Sequence, residues 1–196
     1  MLRSPLPGPT PRRVEAIYAD PLDTLWLGLA TGLGVRVARS PEVNVAWDGA
    51  GLLTIGTSET LDADDCLAQL LFHELCHAVV EGPASWALPD WGLVNTDERH
   101  LVREQATLRL QAAWAEQHGL RRLLAATTDH RAYYDALPAD PLAPDGDLAT
   151  PLAQSAFARR LSVPPLGPAV DAALRDTAAL AHIVRPYAPP DSLWRR

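Results

Sequence analysis

Between Ala63 and Val80 the chain carries one apolar helical pattern with His73-Glu74-Leu75-Cys76-His77 inside it. No other segment restricts the possible folds as much. Ser58, Thr60 and Asp62 offer caps for such a helix and Gly82-Pro83 offers its stop. Cys66, Leu70, His73 and His77 recur at spacings of four, three and four, so the histidines continue the stripe that turns into the core. A fold for this chain must therefore enclose two imidazoles. One turn apart on one face, they can converge on a single divalent cation while the glutamate between them addresses a bound water. His73 and His77 are read as metal ligands. Glu74 is read as the catalytic general base, or as a group beside the ligands where the chemistry is not hydrolysis. A hydrogen-bonded pair of core histidines is the alternative, and a carboxylate in the right place decides between the two.

Such a site needs a third protein ligand and an open position. Val80 and Pro83 stand where the metzincin continuation has glycine and histidine, which leaves an acid on a following helix. Asn95, Thr96 or Asp97 can cap that helix, which runs to about His118 before Gly119. Asp97, Glu98 and Glu104 are the candidates. The first two sit in the first turn, where acids complement the helix dipole. Glu104 shares a stripe with Leu101, Leu108 and Gln111, and an acid on an apolar face needs a cation. Glu104 is the expected third ligand, with surface pairing to Arg103 or Arg109 as its other use. Asp90 either accepts the second ring N–H of a ligating histidine or serves the turn after Pro89. Trp86 and Trp91 line a pocket or pack, Cys76 reads as a small core residue, and Tyr133 or Tyr134 can offer a phenol near the metal. His100, His118, His130 and His182 read as isolated.

Around this unit the signals are weaker. Arg13 to Ala19 and Leu22 to Thr31 read as helical pieces broken at Asp20-Pro21. Val35 to Ala38, Val43 to Trp47 and Leu52 to Ile55 are short strands separated by turn signals. A Pro/Asp/Gly-rich linker spans Pro138 to Thr150, with helical segments near Leu152 to Leu161 and Ala169 to Val184. The expectation is a Pro-rich, flexible stretch over residues 1–12 and one metalloenzyme domain over 13–196. Within it, the motif helix, loop and second helix occupy about 63–118 and a helical cap about 120–196. The fold class expected is α+β and zincin-like, a small sheet packed on the motif helix with a mainly helical C-terminal half. The site should open at the sheet edge.

Composition excludes several partners. The formal charge is −7 and all 17 basic residues are arginine, which argues against nucleic acid, since phosphate neutralisation needs clustered basic residues in excess. No apolar stretch reaches the ~20 residues of a membrane span. The N-terminus lacks the pattern of a secretory signal, and Cys66 and Cys76 lie too far apart along one helix for a disulfide. The expected compartment is the cytoplasm.

Gly82 follows His77 by five residues, and Asp90-Trp91-Gly92 begins eight residues later. That spacing resembles the motif region of elongation factor P hydroxylases, which carry HExxH, a glycine and an Asp-aromatic-Gly triplet at these offsets. The likeness spans about Leu70 to Trp114, with an echo in Val102 to Ala106, where the family also has a Gln-Ala pair. Pro83-Ala84-Ser85-Trp86 replaces the family's arginine pair, and Leu93-Val94-Asn95 replaces its aromatic run. The resemblance implies an iron-dependent oxygenase that hydroxylates a side chain of a protein substrate, with His73, His77 and an acid as ligands. Against it stand a zinc metallopeptidase with Glu74 as base and a non-catalytic metal-binding domain. The cofactor expected is one divalent metal, Fe(II) or Zn(II), and the partner a protein or peptide substrate.

Overall fold

The computed structural model describes residues 15–94, 97–126 and 130–195, and its first helix begins at a proline. Helix α1, Pro21–Gly32, is capped by Asp20, whose carboxylate accepts from the Leu22 and Asp23 amides at 2.9 and 3.1 Å. Asp20 is extended, as a residue before proline must be. The helix expected over Arg13 to Ala19 is absent from residues 15–19, because Ile17 and Tyr18 are exposed and offer no face to bury. Residues 1–14, including the expected flexible stretch, lie outside the described residues.

Three strands follow, β1 Arg36–Arg39, β2 Val45–Trp47 and β3 Leu52–Ile55, in the order β1-β3-β2. β1 runs parallel to β3 and β2 antiparallel to it, so β2 is an edge. Leu53 and Ile55 of the central strand are buried. Gly49, at φ 74°, turns the β2–β3 hairpin against the loop after α2; a Cβ there would lie 2.9 Å from the carbonyl carbons of Ala87 and Leu88. This close approach fixes the edge strand beside the loop that carries Asp90 and Trp91.

Helix α2, Leu67–Glu81, starts later than the caps at Ser58, Thr60 and Asp62 suggest. Residues 62–65 turn on themselves instead, with the Asp62 amide donating to the Asp65 carboxylate at 2.9 Å. Every residue of α2 except His73 and Glu81 is buried. Gly82, at φ 79°, ends the helix, and Arg159 donates to the freed carbonyls of Val79 and Val80 at 2.8 and 3.0 Å. Helix α3, Glu98–Glu116, lies against α2. Asn95 and Thr96, expected as caps, lie outside the described residues.

Beyond α3 come α4 Arg131–Ala136, α5 Ala149–Arg159 and α6 Leu166–Val184. Phe72 of α2 sits between Trp26 and Trp114, with ring centroids 5.7 and 5.9 Å away. The Trp26 indole donates to Thr177 of α6 at 3.0 Å. The stretch expected as a linker is anchored: Arg109 of α3 donates to the Pro141 carbonyl and to the Asp145 and Asp147 carboxylates. Cys66 and Cys76 are both free thiols. The architecture is α+β, a small sheet with mostly helical content, as expected. Among the described residues no helix is long and apolar enough to cross a membrane.

Candidate metal centre

One helical turn brings the His73 and His77 rings to 4.6 Å between centroids, at 88° to each other. Their Nε2 atoms are 3.1 Å apart. Packing of α3 on α2 carries Glu104 between them: Oε1 lies 3.2 Å from His73 Nε2 and Oε2 3.1 Å from His77 Nε2. The three ligand atoms all lie within 4.8 Å of one another. The other uses considered for Glu104 do not occur, since Arg103 pairs with Glu81 and Arg109 with Asp145 and Asp147. Asp97 is not part of the group, and the Glu98 side chain lies outside the described residues.

Hydrogen bonding fixes what His73 presents. Gln111 donates its amide N–H to the Leu124 carbonyl at 2.8 Å, so its Oε1, 2.9 Å from His73 Nδ1, must accept. His73 therefore carries its hydrogen on Nδ1, and in the neutral ring Nε2 is a bare lone pair facing Glu104. Glu104 Oε1 is buried without a hydrogen-bond donor. His77 Nδ1 meets the Thr107 hydroxyl at 3.2 Å. The bare His73 Nε2 thus faces Glu104 Oε1 in the interior with no donor between them, a gap that a proton or a metal ion fills. Without metal the proton takes that place. Burial disfavours an imidazolium at His73, yet the adjacent Glu104 carboxylate outweighs it and pushes the ring up to about 9. Burial likewise disfavours the Glu104 carboxylate, but His77 and His73 hold it well below the ordinary carboxylate range. Two imidazoles and one carboxylate suit a divalent transition metal, so the residues present fit one.

The ligand group faces a cavity of about 200 Å³ whose walls include Asn44 and Val45 at the start of β2, Glu74, Asp90, Trp91 and His130. The cavity thus lies against the sheet edge. Glu74 Oε2 accepts from the Trp91 indole at 2.7 Å. Asp90 lines the cavity but does not hold a histidine; its Oδ1 accepts from the Trp47 amide at 3.0 Å. Gln111 and Thr107 take the orienting role considered for Asp90. Neither tyrosine is at the site, because Tyr133 donates to Asp147 and Tyr134 to the Arg121 carbonyl. Trp86 donates to the Ala78 carbonyl at 2.8 Å, and Cys76 is buried, as expected.

Three residues escaped the sequence reading. Gln111 was named as part of the Glu104 stripe without a role, and Thr107 sits one turn beyond Glu104; periodicity alone could have nominated both. His130, 3.8 Å from Glu104 Oε1, gave no such signal. Replacing Gln111 with Leu leaves the His73 Nδ1–H without an acceptor and should weaken divalent-metal affinity about 10–100-fold. Competition against a chromophoric chelator measures it, and an unchanged affinity would remove Gln111 from the site.

Comparison with protein families, curated proteins and solved structures finds no match to the chain. Fold and site together define an α+β protein with a two-histidine, one-carboxylate group that can hold a metal ion.

Proposed function

We propose that this chain is a zincin-like non-haem iron hydroxylase acting on a single side chain of a protein substrate. The observation that carries the reading is the cavity over the ligand group. At about 200 Å³ it falls below the roughly 300–1,000 Å³ of pockets for drug-sized ligands, and it suits one inserted side chain. The edge strand beside it gives little room for an extended peptide. Gly56 donates to the Asn44 carbonyl and Asp48 to the Leu52 carbonyl, so Asn44, Ala46 and Asp48 face β3 and Val45 and Trp47 face outward. The outward Trp47 amide is already taken by Asp90. The spacing shared with elongation factor P hydroxylases supports the same reading.

His73, His77 and Glu104 would hold the iron, a ligand set used for dioxygen activation. The chain's own residues do the rest. Gln111 and Thr107 orient the imidazoles, the burial of His77 and Glu104 limits water at the ligands, and the cavity walls admit the substrate side chain. A zinc peptidase is the second reading, favoured by one observation, that Glu74 lines the cavity beside both histidines. Iron-loaded protein incubated in air with elongation factor P and a two-electron reductant such as ascorbate should add one atom of dioxygen to the substrate, the other leaving as water with the reductant's two electrons and two protons. Intact mass reads the product, and oxygen is consumed in step. Zinc-loaded protein that cleaves a peptide library, and loses that activity in Glu74→Gln, would transfer the assignment to the peptidase.

A further inference from the structure

Three carboxylates line the cavity, Glu74, Asp90 and Glu104, but only Glu104 joins the histidines as a ligand group. Each of the other two is held by a tryptophan N–H. The Trp91 indole donates to Glu74 Oε2 at 2.7 Å, and the Trp47 amide donates to Asp90 Oδ1 at 3.0 Å. The two tryptophans stack, with ring centroids 4.8 Å apart and planes within 3°.

The stack is anchored to the ligand helix. The Trp47 indole donates to the Trp86 carbonyl at 3.0 Å, and the Trp86 indole donates to the carbonyl of Ala78, the residue after His77. The backbone is committed to this arrangement too. Asp90 and Trp91 adopt φ of 45° and 58°, a left-handed conformation that non-glycine residues hold only where the surroundings impose it.

We propose that the stacked Trp47–Trp91 pair is a ligand-excluding clamp, holding Glu74 and Asp90 off the metal so that the ion keeps only three protein ligands. A divalent cation attracts every nearby carboxylate, and the attraction is strong where water is scarce. Glu74 is adjacent in sequence to the ligand His73 and faces the same cavity, so a fixed donor has to claim its oxygen. A fourth carboxylate-rich ligation would bind metal more tightly and close the position that substrate chemistry needs. The inference rests on the metal reading of the site and is indifferent to whether the reaction is hydroxylation or hydrolysis.

Cobalt(II) binding tests it, because affinity and visible absorption both report coordination. Trp91→Phe keeps the aromatic ring and removes the N–H. It should bind cobalt about ten-fold more tightly than the wild type, with an altered visible spectrum, as the freed Glu74 joins the ion and adds a second charged ligand. Trp91→Phe combined with Glu74→Gln should return affinity and spectrum to wild type. A Trp91→Phe protein that folds with wild-type affinity and spectrum overturns the clamp. Should that variant not fold, Glu74→Gln alone decides, since glutamine keeps the acceptor for Trp91: wild-type cobalt affinity supports the clamp, and a loss above about ten-fold makes Glu74 a ligand and overturns it. Failure of the hydroxylase reading shows separately, as no oxygen insertion by iron-loaded wild type supplied with dioxygen and reductant, and leaves the cobalt measurements standing. Wild type that takes up no cobalt overturns the metal reading and the clamp together.

Discussion

Replacing Glu104 with alanine will strip the protein of divalent metal. The substitution removes the carboxylate between His73 and His77 and leaves two neutral imidazoles as the rest of the ligand group. Removing a partner of a ligand already costs 10–100-fold, so loss of the ligand itself should cost at least about a hundred-fold, about 2.7 kcal/mol. Metal content after dialysis checks it, and Glu104→Gln, nearly isosteric, isolates the charge. A Glu104→Ala protein that keeps its metal would remove the carboxylate from the site. The same pair gives the metal-free protein a pH signature. His73 is raised from 6.5 to about 9 by the Glu104 carboxylate, against its burial, so its contribution is complete below about 6.5 and lost as pH rises through 9. Glu104 is lowered from 4.5, so its contribution is present above that value and lost as pH falls below it. Chelator-treated wild type should therefore melt at lower temperature at pH 9 than at pH 7, and Glu104→Ala should show little of that difference.

Arg109→Met should destabilise the fold more than any substitution at the metal centre. Arg109 is 2% exposed in the middle of α3, and its guanidinium donates to the Tyr133 hydroxyl at 2.7 Å, the Pro141 carbonyl at 2.8 Å and Asp147 at 3.0 Å, besides Asp145. Asp145 also accepts from the Thr150 hydroxyl, and Asp147 from Tyr133 and the Ala149 amide. One buried cation thus ties α4, the start of α5 and the segment between them to the helix that bears Glu104. Methionine fills the space but removes the donor shared by the Pro141 carbonyl, the Tyr133 hydroxyl and two partly exposed carboxylates, a change on the order of 1–3 kcal/mol. That is a large fraction of the roughly 5–15 kcal/mol by which domains are stable. Denaturant unfolding measures it. Arg109→Lys keeps the charge but cannot reach four acceptors, and should fall between the two; a Met variant as stable as wild type would show the network to be incidental.

What the chain discloses before folding depends on how local the cause is. The α2–loop–α3 unit and the choice of Glu104 over Glu98 and Asp97 follow from period and capping, which act within a few residues, and the structure brings Glu104 to both histidines. The three strands were legible for the same reason. The start of α2 was not, because Ser58, Thr60 and Asp62 all read as caps while Asp65 closes a turn on Asp62. Asp90 could not be placed either: its partner, the Trp47 amide, is 43 residues away in sequence. His130 reaches Glu104 only because α4 is docked on α3, and the segment read as a linker is held by an arginine in another helix. The last three depend on tertiary contact, which no window of sequence contains.

The burial of α2 sets where this protein can change by descent. Leu75 and Cys76, the free positions between the motif histidines, are almost wholly enclosed, so drift there is confined to side chains of similar volume. The ligand helix thus leaves little room for change at single positions. The walls that meet an incoming molecule include residues from elsewhere: Asn44 ahead of an edge strand, Leu93 in the loop after α2 and His130 before α4. Those positions lie outside the core, so under the proposed function they can be rewritten to fit another molecule while the ligand helix stays as it is.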